Sequence, residues 1–296
     1  MTAAKFGHVA LIGRPNAGKS TLLNALTGEH VAIVTHKPQT TRQRIVGLVN
    51  EARGQIAFVD TPGLHRRKAH ALNRRLNRTA GAAMRGVDGV VLVVDATRWT
   101  DEDEWAGELF KNCDGIRLLA LNKIDLLPDR TRLLELTADL SKRFAVDAVV
   151  YLSALKGDGL EHLLDELFAR LPQGEAQYPA DEFTDRSARF LAAELVREQL
   201  MLQLHQEIPY GLTVVIDRFE TEGSRLLIDA LILVADERHK GMVIGRQGSV
   251  LKRVGSRARR TMAELLGQPV HLELHVKTRH GWMDDERLLD ELGFSD

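Results

Sequence analysis

A lysine and a serine stand directly after the second glycine of Gly13-Arg14-Pro15-Asn16-Ala17-Gly18-Lys19-Ser20, the spacing Gly-x-x-x-x-Gly-Lys-Ser that suits a phosphate chain. Glycines at 13 and 18 let backbone N–H groups crowd an anion with no Cβ in the way, and a helix starting at Lys19 adds its positive dipole end. Lys19 is placed to reach β and γ phosphates, and the Ser20 hydroxyl to coordinate Mg²⁺. Asn16, Ala17, Gly18 and Thr21 complete this candidate nucleotide-binding segment.

Three further segments follow in the order that a guanine-nucleotide switch requires: Asp60-Thr61-Pro62-Gly63, Asn122-Lys123-Ile124-Asp125 and Ser153-Ala154-Leu155. Asp60 is expected to hold Mg²⁺, through water, and Gly63 to offer a backbone N–H that senses the γ-phosphate. Asp125 can accept from both guanine N1–H and N2–H₂, donors that adenine lacks in that arrangement, so adenine would leave a buried carboxylate unpaired. Asn122 and Lys123 are expected to brace the loop and cover the base, and Ser153-Ala154 to turn backbone toward O6. Between the first two segments, Pro38-Gln39-Thr40-Thr41-Arg42 carries hydroxyls for the Mg²⁺ shell; Thr41 is favoured, with Thr40 the alternative.

These loops need a sheet behind them. Apolar strands near 8–12, 45–50, 55–60, 89–95, 116–122 and 148–152 alternate with helices near 19–26, 70–84, 102–111, 129–143 and 160–170, the pattern of an α/β fold with a mostly parallel sheet and helices on both faces. In such sheets ligands gather at the carboxyl ends of the strands. Prolines 172 and 179 and Gly174 then break the periodicity. The expected division is 1–172, a linker at 173–183, and 184–296. The second part reads as α+β: a helix near 185–206, strands near 212–219 and 225–234 with a hairpin at Glu222-Gly223, a Gly-containing turn, a helix near 249–266, a strand near 270–277 and a short terminal helix.

Composition bounds the rest. A chain of 296 residues with 44% apolar content supports two cores. Cys113 is the single cysteine, which excludes an intrachain disulfide or a multi-cysteine metal site and fits a reducing, cytoplasmic setting. No apolar run is long enough to span a membrane, though peripheral contact stays open. The net charge of −1 hides segregation: Arg238, Lys240, Arg246, Lys252, Arg253, Arg257, Arg259 and Arg260 fall in one stretch without an acidic residue.

That stretch contains Gly245-Arg246-Gln247-Gly248, a G-x-x-G loop of the kind that clamps backbone nucleotides. The pattern alone is worth little, being expected about once per chain of this size, and Gly86-Val87-Asp88-Gly89 is another instance. Its setting matters more, because the following helix turns Leu251, Val254, Met262 and Leu265 inward and leaves Lys252 and Arg253 beside the glycines. A single-stranded backbone would gain close approach and phosphate neutralisation there. His271 and His275 alternate with apolar residues as on a strand, so they do not form a helical metal pair. His280-Gly281-Trp282 and the acidic tail are expected to pack or cap.

With its Gly-x-Pro-Asn-x-Gly-Lys-Ser loop, its Thr-Thr-Arg segment and its second-domain element order, the chain resembles the Era family of GTPases, over its whole length. The resemblance implies an α/β P-loop GTPase domain followed by a type II KH domain, with Lys19, Thr41 and Gly63 central to GTP hydrolysis. It implies K⁺ as an extra cation, with Asn16 as its candidate ligand. Leu64, where related enzymes carry a water-orienting glutamine, implies slow basal turnover; the nearby His65 reads as an exposed loop histidine. As partners it implies GTP and GDP, the 3′ end of small-subunit (16S) ribosomal RNA, and the small ribosomal subunit during maturation, for a monomer in the cytoplasm or peripheral to the inner membrane face. Two rivals are a non-catalytic RNA chaperone with structural nucleotide, and a GTPase whose second domain docks protein or membrane.

Overall fold

The computed structural model describes residues 4–37, 40–62, 71–129, 131–205 and 208–294. Pro38, Gln39, Gly63, Leu64 and His65, on which the readings above also drew, lie outside the described residues.

The first unit runs β1 (Lys5–Ile12), α1 (Lys19–Thr27), β2 (Ile45–Glu51), β3 (Gly54–Asp60), α2 (Ala71–Ala83), β4 (Gly89–Asp95), α3 (Asp101–Lys111), β5 (Ile116–Asn122), α4 (Thr131–Arg143), β6 (Ala148–Tyr151) and α5 (Leu160–Arg170). Its six strands lie in the order β2-β3-β1-β4-β5-β6, parallel except for β2, which pairs antiparallel with β3 at the edge. The continuous apolar run of β4 is buried along its whole length, as a central parallel strand requires. Alternate residues serve opposite faces. Val91 and Val93 share a core with Leu22 and Leu23 of α1 and with Leu163 and Leu167 of α5. Val90, Leu92 and Val94 pack with Phe110 of α3 and Leu140 of α4 on the other side. One edge of the sheet therefore collects Asp60, Asp95 and Asn122 at the last positions of their strands and Gly13 and Ser153 just beyond theirs.

The second unit comprises α6 (Ala188–Gln203), β7 (Leu212–Glu222), β8 (Arg225–Val234), α7 (Glu237–Ile244), α8 (Ser249–Leu266), β9 (Val270–Thr278) and α9 (Glu286–Glu291). β7 and β8 form the expected hairpin, turning at Gly223, and β9 adds parallel to β8. Val196 and Leu200 of α6 and Val254 and Met262 of α8 bury one face of this sheet. On β9 the apolar residues are covered while His271 and His275 are exposed, as a half-buried strand demands. The helix α7 occupies what the sequence suggested was only a turn. It spans two turns with Gly241 inside, too short for a periodic signal, and it is started by Asp236, which accepts from Arg238 N–H.

The two units share a small core of their own. Ala71, Leu72 and Leu76 of α2 pack against the fully buried Trp282 and against Leu289 and Phe294. Arg75 reaches Glu286 at 2.8 Å and Asp290 at 2.5 Å. The acidic tail thus packs on the first unit, and Trp282 Nε1 donates to Gly211 O at 3.0 Å.

Candidate nucleotide site and nucleic-acid interface

The loop after β1 closes on itself before α1 begins. Lys19 is buried, and its ammonium donates to the carbonyls of Gly13 at 2.9 Å and Arg14 at 3.0 Å. Burial pushes its pKa down, against the pull of Asp60. Gly18 has φ 105°, and a Cβ there would come within 2.2 Å of the Asn122 amide nitrogen, so no other residue fits. That amide donates to Ala17 O at 2.9 Å, tying the third motif to the first.

Ser20, Thr41 and Asp60 converge. Both hydroxyls donate to Asp60 Oδ2 at 2.9 Å and lie 3.0 Å from each other. Asp60 Oδ1 is buried with no partner, and burial drives the carboxyl above its ordinary pKa, outweighing Lys19 and the two hydroxyls. Three hard oxygen donors around a buried, under-satisfied carboxylate suit Mg²⁺, whose charge would supply what the carboxylate lacks. Thr41 takes part in this cluster; Thr40 does not, and its carbonyl instead accepts from Arg197 of α6.

At the base end, Ser153 Oγ donates to Asp125 Oδ1 at 2.6 Å and fixes the carboxylate. Lys123 sits at φ 66° and donates to Asn16 O at 2.7 Å and to Asp95 at 2.8 Å. The Ala154 N–H, expected to face the base, donates to Asn122 Oδ1 at 3.0 Å, which the tetrapeptide pattern could not reveal. Thr21, Leu155 and Asn16 line the same cavity of about 430 Å³, together with Ile33 to His36 and, from the second unit, Leu202 of α6. This volume is within the range of about 300–1,000 Å³ for small-molecule sites.

A buried network that the motifs did not announce braces the phosphate loop. Arg14 donates to Asp95 at 3.0 Å and to Asp103 at 2.9 Å. Asp95 also accepts from Lys123 and Thr97, and these bonds hold its pKa below the usual value despite burial, the largest influence on it. The signal was available for Asp95, because an apolar strand ending in a carboxylate delivers it to the ligand edge exactly as β3 delivers Asp60.

The loop that carries Thr41 is gripped by the second unit. Glu198 of α6 accepts from Val34 N–H at 2.9 Å and contacts His30 Nε2 at 3.1 Å. Lys37 reaches the carbonyls of Met201 and Leu204 at the end of α6. Arg42, buried, donates to the carbonyls of Leu212 at 2.6 Å, Tyr210 at 2.9 Å and Pro209 at 3.2 Å. Burial, reinforced by Arg197, brings its pKa down to about 9.

In the second unit the Gly245–Gly248 loop joins α7 to α8. Gly245 has φ 73°, and a Cβ there would lie 2.9 Å from Val250 N. Val254 and Met262 are buried and Leu251 and Leu265 partly so, while Lys252, Arg253, Arg257, Arg259 and Arg260 are exposed. Arg246, Lys252 and Arg257 meet no carboxylate among the described residues, whereas Lys240 pairs with Glu237 at 3.2 Å. Among the described residues the three non-glycine positive φ angles fall at Asn16, Lys123 and Gln247, one in each of three motif loops. Such strain concentrates where a loop must hold one shape.

A phosphate loop on an α/β sheet, an Asn-Lys-x-Asp segment at the same sheet edge and an attached glycine-loop α+β unit define a P-loop GTPase joined to a KH domain. Residues 8–123 match the family described as 50S ribosome-binding GTPase, and residues 207–283 match the KH domain. The chain is 49% identical over 288 residues to GTPase Era of Xanthomonas campestris pv. campestris, covering 97% of each, and 46% identical over 295 residues to that of Pseudomonas syringae pv. tomato, covering 100% of this chain and 98% of the relative. Among solved structures, Aquifex aeolicus Era bound to GDP.AlF4⁻ superposes with a TM-score of 0.93 at 35% identity, covering 99% of this chain and 100% of the other. Era in complex with MgGDPNP and nucleotides 1506–1542 of 16S ribosomal RNA gives 0.94 at 35% identity, with the same coverage. The chain belongs to the Era family and is a GTP hydrolase.

Proposed function

We propose that this chain is a GTP-driven switch on single-stranded RNA, acting on the 3′ end of small-subunit ribosomal RNA during maturation of that subunit. The observation that carries the reading is the double grip on one loop: Thr41 joins Ser20 and Asp60, while its neighbours Thr40 and Arg42 are held by α6 and by the carbonyls of Pro209, Tyr210 and Leu212 at the start of β7. A change at the γ-phosphate that moved Thr41 would pull on the second unit. The 16S RNA bound by an Era structure of the same fold supports the choice of RNA.

In this reading Asn16, Ala17, Gly18, Lys19, Ser20 and Thr21 hold the phosphates, with Lys19 turning from the loop carbonyls to the β and γ oxygens. Ser20, Thr41 and Asp60 would hold Mg²⁺, which supplies charge neutralisation at the bridging oxygens; the bound MgGDPNP of the Era structure supports that choice. Asp125, fixed by Ser153, reads guanine; Asn122, Lys123, Ala154 and Leu155 frame it. Gly63 and Thr41 complete catalysis. Asn16, whose amide donates to His36 O at 2.9 Å, keeps its side-chain carbonyl as the candidate K⁺ ligand, and replacing Na⁺ by K⁺ should raise hydrolysis.

Gly245, Arg246, Gln247, Gly248, Lys252 and Arg253 form the RNA contact. We divide the chain at the linker 173–183 and regard it as a cytoplasmic monomer. Crosslinking and sequencing of bound RNA with GTP analogue and with GDP tests the assignment. The expected result is one dominant small-subunit 3′-end site, with yields that differ between nucleotides; equal yields would refute the switch. Gly245→Asp with Gly248→Asp should abolish the crosslink and leave nucleotide binding intact, whereas retained partner binding would favour a protein or membrane dock.

A further inference from the structure

A second cleft lies between the two units, with Arg42, the residue after Thr41, in its wall. Its volume is about 250 Å³, and Arg42, Arg44, Arg75, Arg186, Gln43 and Thr79 supply its polar lining, with no aspartate or glutamate among the lining residues. Two of the arginines are incompletely satisfied. Nε of Arg42 and Nε of Arg186 are buried without a hydrogen-bond acceptor. Arg42 is 3% exposed and its remaining donors go to backbone carbonyls, so no carboxylate neutralises it. Arg186 lies 3.7 Å from Asp185 through that same Nε, beyond hydrogen-bond reach, and its Nη2 is taken by Arg44 O. Arg75 is neutralised, from outside the cleft, by Glu286 and Asp290, whereas Arg186 has the looser approach of Asp185.

We propose that this arginine cleft binds a phosphate group. Guanidinium forks match phosphate oxygens in geometry and charge, and the four arginines that line the cleft have no carboxylate among the other lining residues. The volume falls below the range of about 300–1,000 Å³ typical of whole small-molecule sites, which suits a phosphate and excludes a second nucleotide. Burial lowers the pKa of Arg186, against the pull of Asp185. The cleft is walled by Arg42, the residue after Thr41, and by α2, the helix that follows the Asp60 motif, so nucleotide state and anion affinity are linked reciprocally. The phosphate is carried either by the RNA backbone or by a free ion.

The test uses the full chain with its nucleotide site filled by Mg·GDP, titrated with inorganic phosphate and followed by ³¹P line broadening. Arg44→Gln with Arg186→Gln, both outside the nucleotide site, should weaken binding at least about 10-fold, the loss of one charge-assisted hydrogen bond. Should that pair disturb folding, Thr79→Glu on the half-exposed face of α2 puts a carboxylate into the cleft and should abolish binding. Unchanged affinity in a folded variant, or no binding by the parent protein, would overturn the proposal. Displacement of phosphate by single-stranded RNA assigns the site to the RNA backbone; phosphate binding unaffected by RNA assigns it to the free ion.

Discussion

Replacing Glu198, which does not itself line the nucleotide cavity, should release the loop that carries Thr41. One oxygen of this buried carboxylate takes the Val34 N–H at 2.9 Å and His30 Nε2 at 3.1 Å. The bond to Val34 is charge-assisted and buried, worth about 1.5–3 kcal/mol, and its loss leaves an amide in need of a partner. The His30 side chain is more than a third exposed, so solvent screening holds that contact to about 1 kcal/mol or less. Glu198→Ala should therefore weaken the grip by about 2–4 kcal/mol, and Glu198→Gln, which keeps one neutral acceptor, by about 1 kcal/mol. Local opening reports this directly. Amide exchange of residues 30–37 in the full chain, followed by mass spectrometry, should accelerate about 30- to 1,000-fold in the alanine variant and about 5-fold in the glutamine variant. If the loop exchanges at the parental rate in a folded Glu198→Ala protein, Glu198 does not hold it and the proposed coupling through α6 fails.

Thr41→Val keeps the shape but removes the hydroxyl shared with Asp60; single-turnover hydrolysis should fall at least about 10-fold with GDP affinity little changed, while Thr40→Val, whose carbonyl alone is used, should hydrolyse normally. Asp125→Asn exchanges an acceptor for a donor at the guanine edge; competition binding should show GTP weakened about 100-fold and xanthosine triphosphate strengthened. His30 has its pKa raised by the hydrogen bond to Glu198, against burial, so its contribution to stability is complete below about pH 6.5 and is lost as pH rises through the raised value. The melting temperature of the parent should therefore exceed that of His30→Gln at pH 6, and the difference should vanish by about pH 9.

What could be read in the chain depended on how local the cause was. Each nucleotide motif follows an apolar strand that ends at one sheet edge, so Gly13 to Ser20, Asp60 and Asn122 to Asp125 announce both their position and their chemistry. Gly245 to Gly248 is intelligible only through the helix that follows, whose apolar stripe turns Val254 and Met262 inward. α7 escaped notice because two turns interrupted by a glycine have no period. Glu198 on Val34, Arg42 on the carbonyl of Leu212 and Arg14 on Asp103 join residues that are distant in sequence, and no repeat or spacing marks such pairs.

The cations that cross between the two units share a chemistry that bears on switching. Lys37, Arg42 and Arg197 bind mostly to backbone carbonyls across the interface, of Met201, Leu204, Pro209, Tyr210, Leu212 and Thr40. Lys37 meets the C-terminal end of α6, where the helix dipole adds attraction for a cation. Carbonyl dipoles bind a cation without neutralising it, and the attraction falls off more steeply with distance than that of an ion pair. Displacing the loop by even a small amount would lose these bonds together, leaving Arg42 buried and unsatisfied, so a partly shifted loop is the least stable arrangement available. In the proposed switch that penalty would favour two states over a graded response, and a γ-phosphate acting on Thr41 would need to bias only one loop to choose between them.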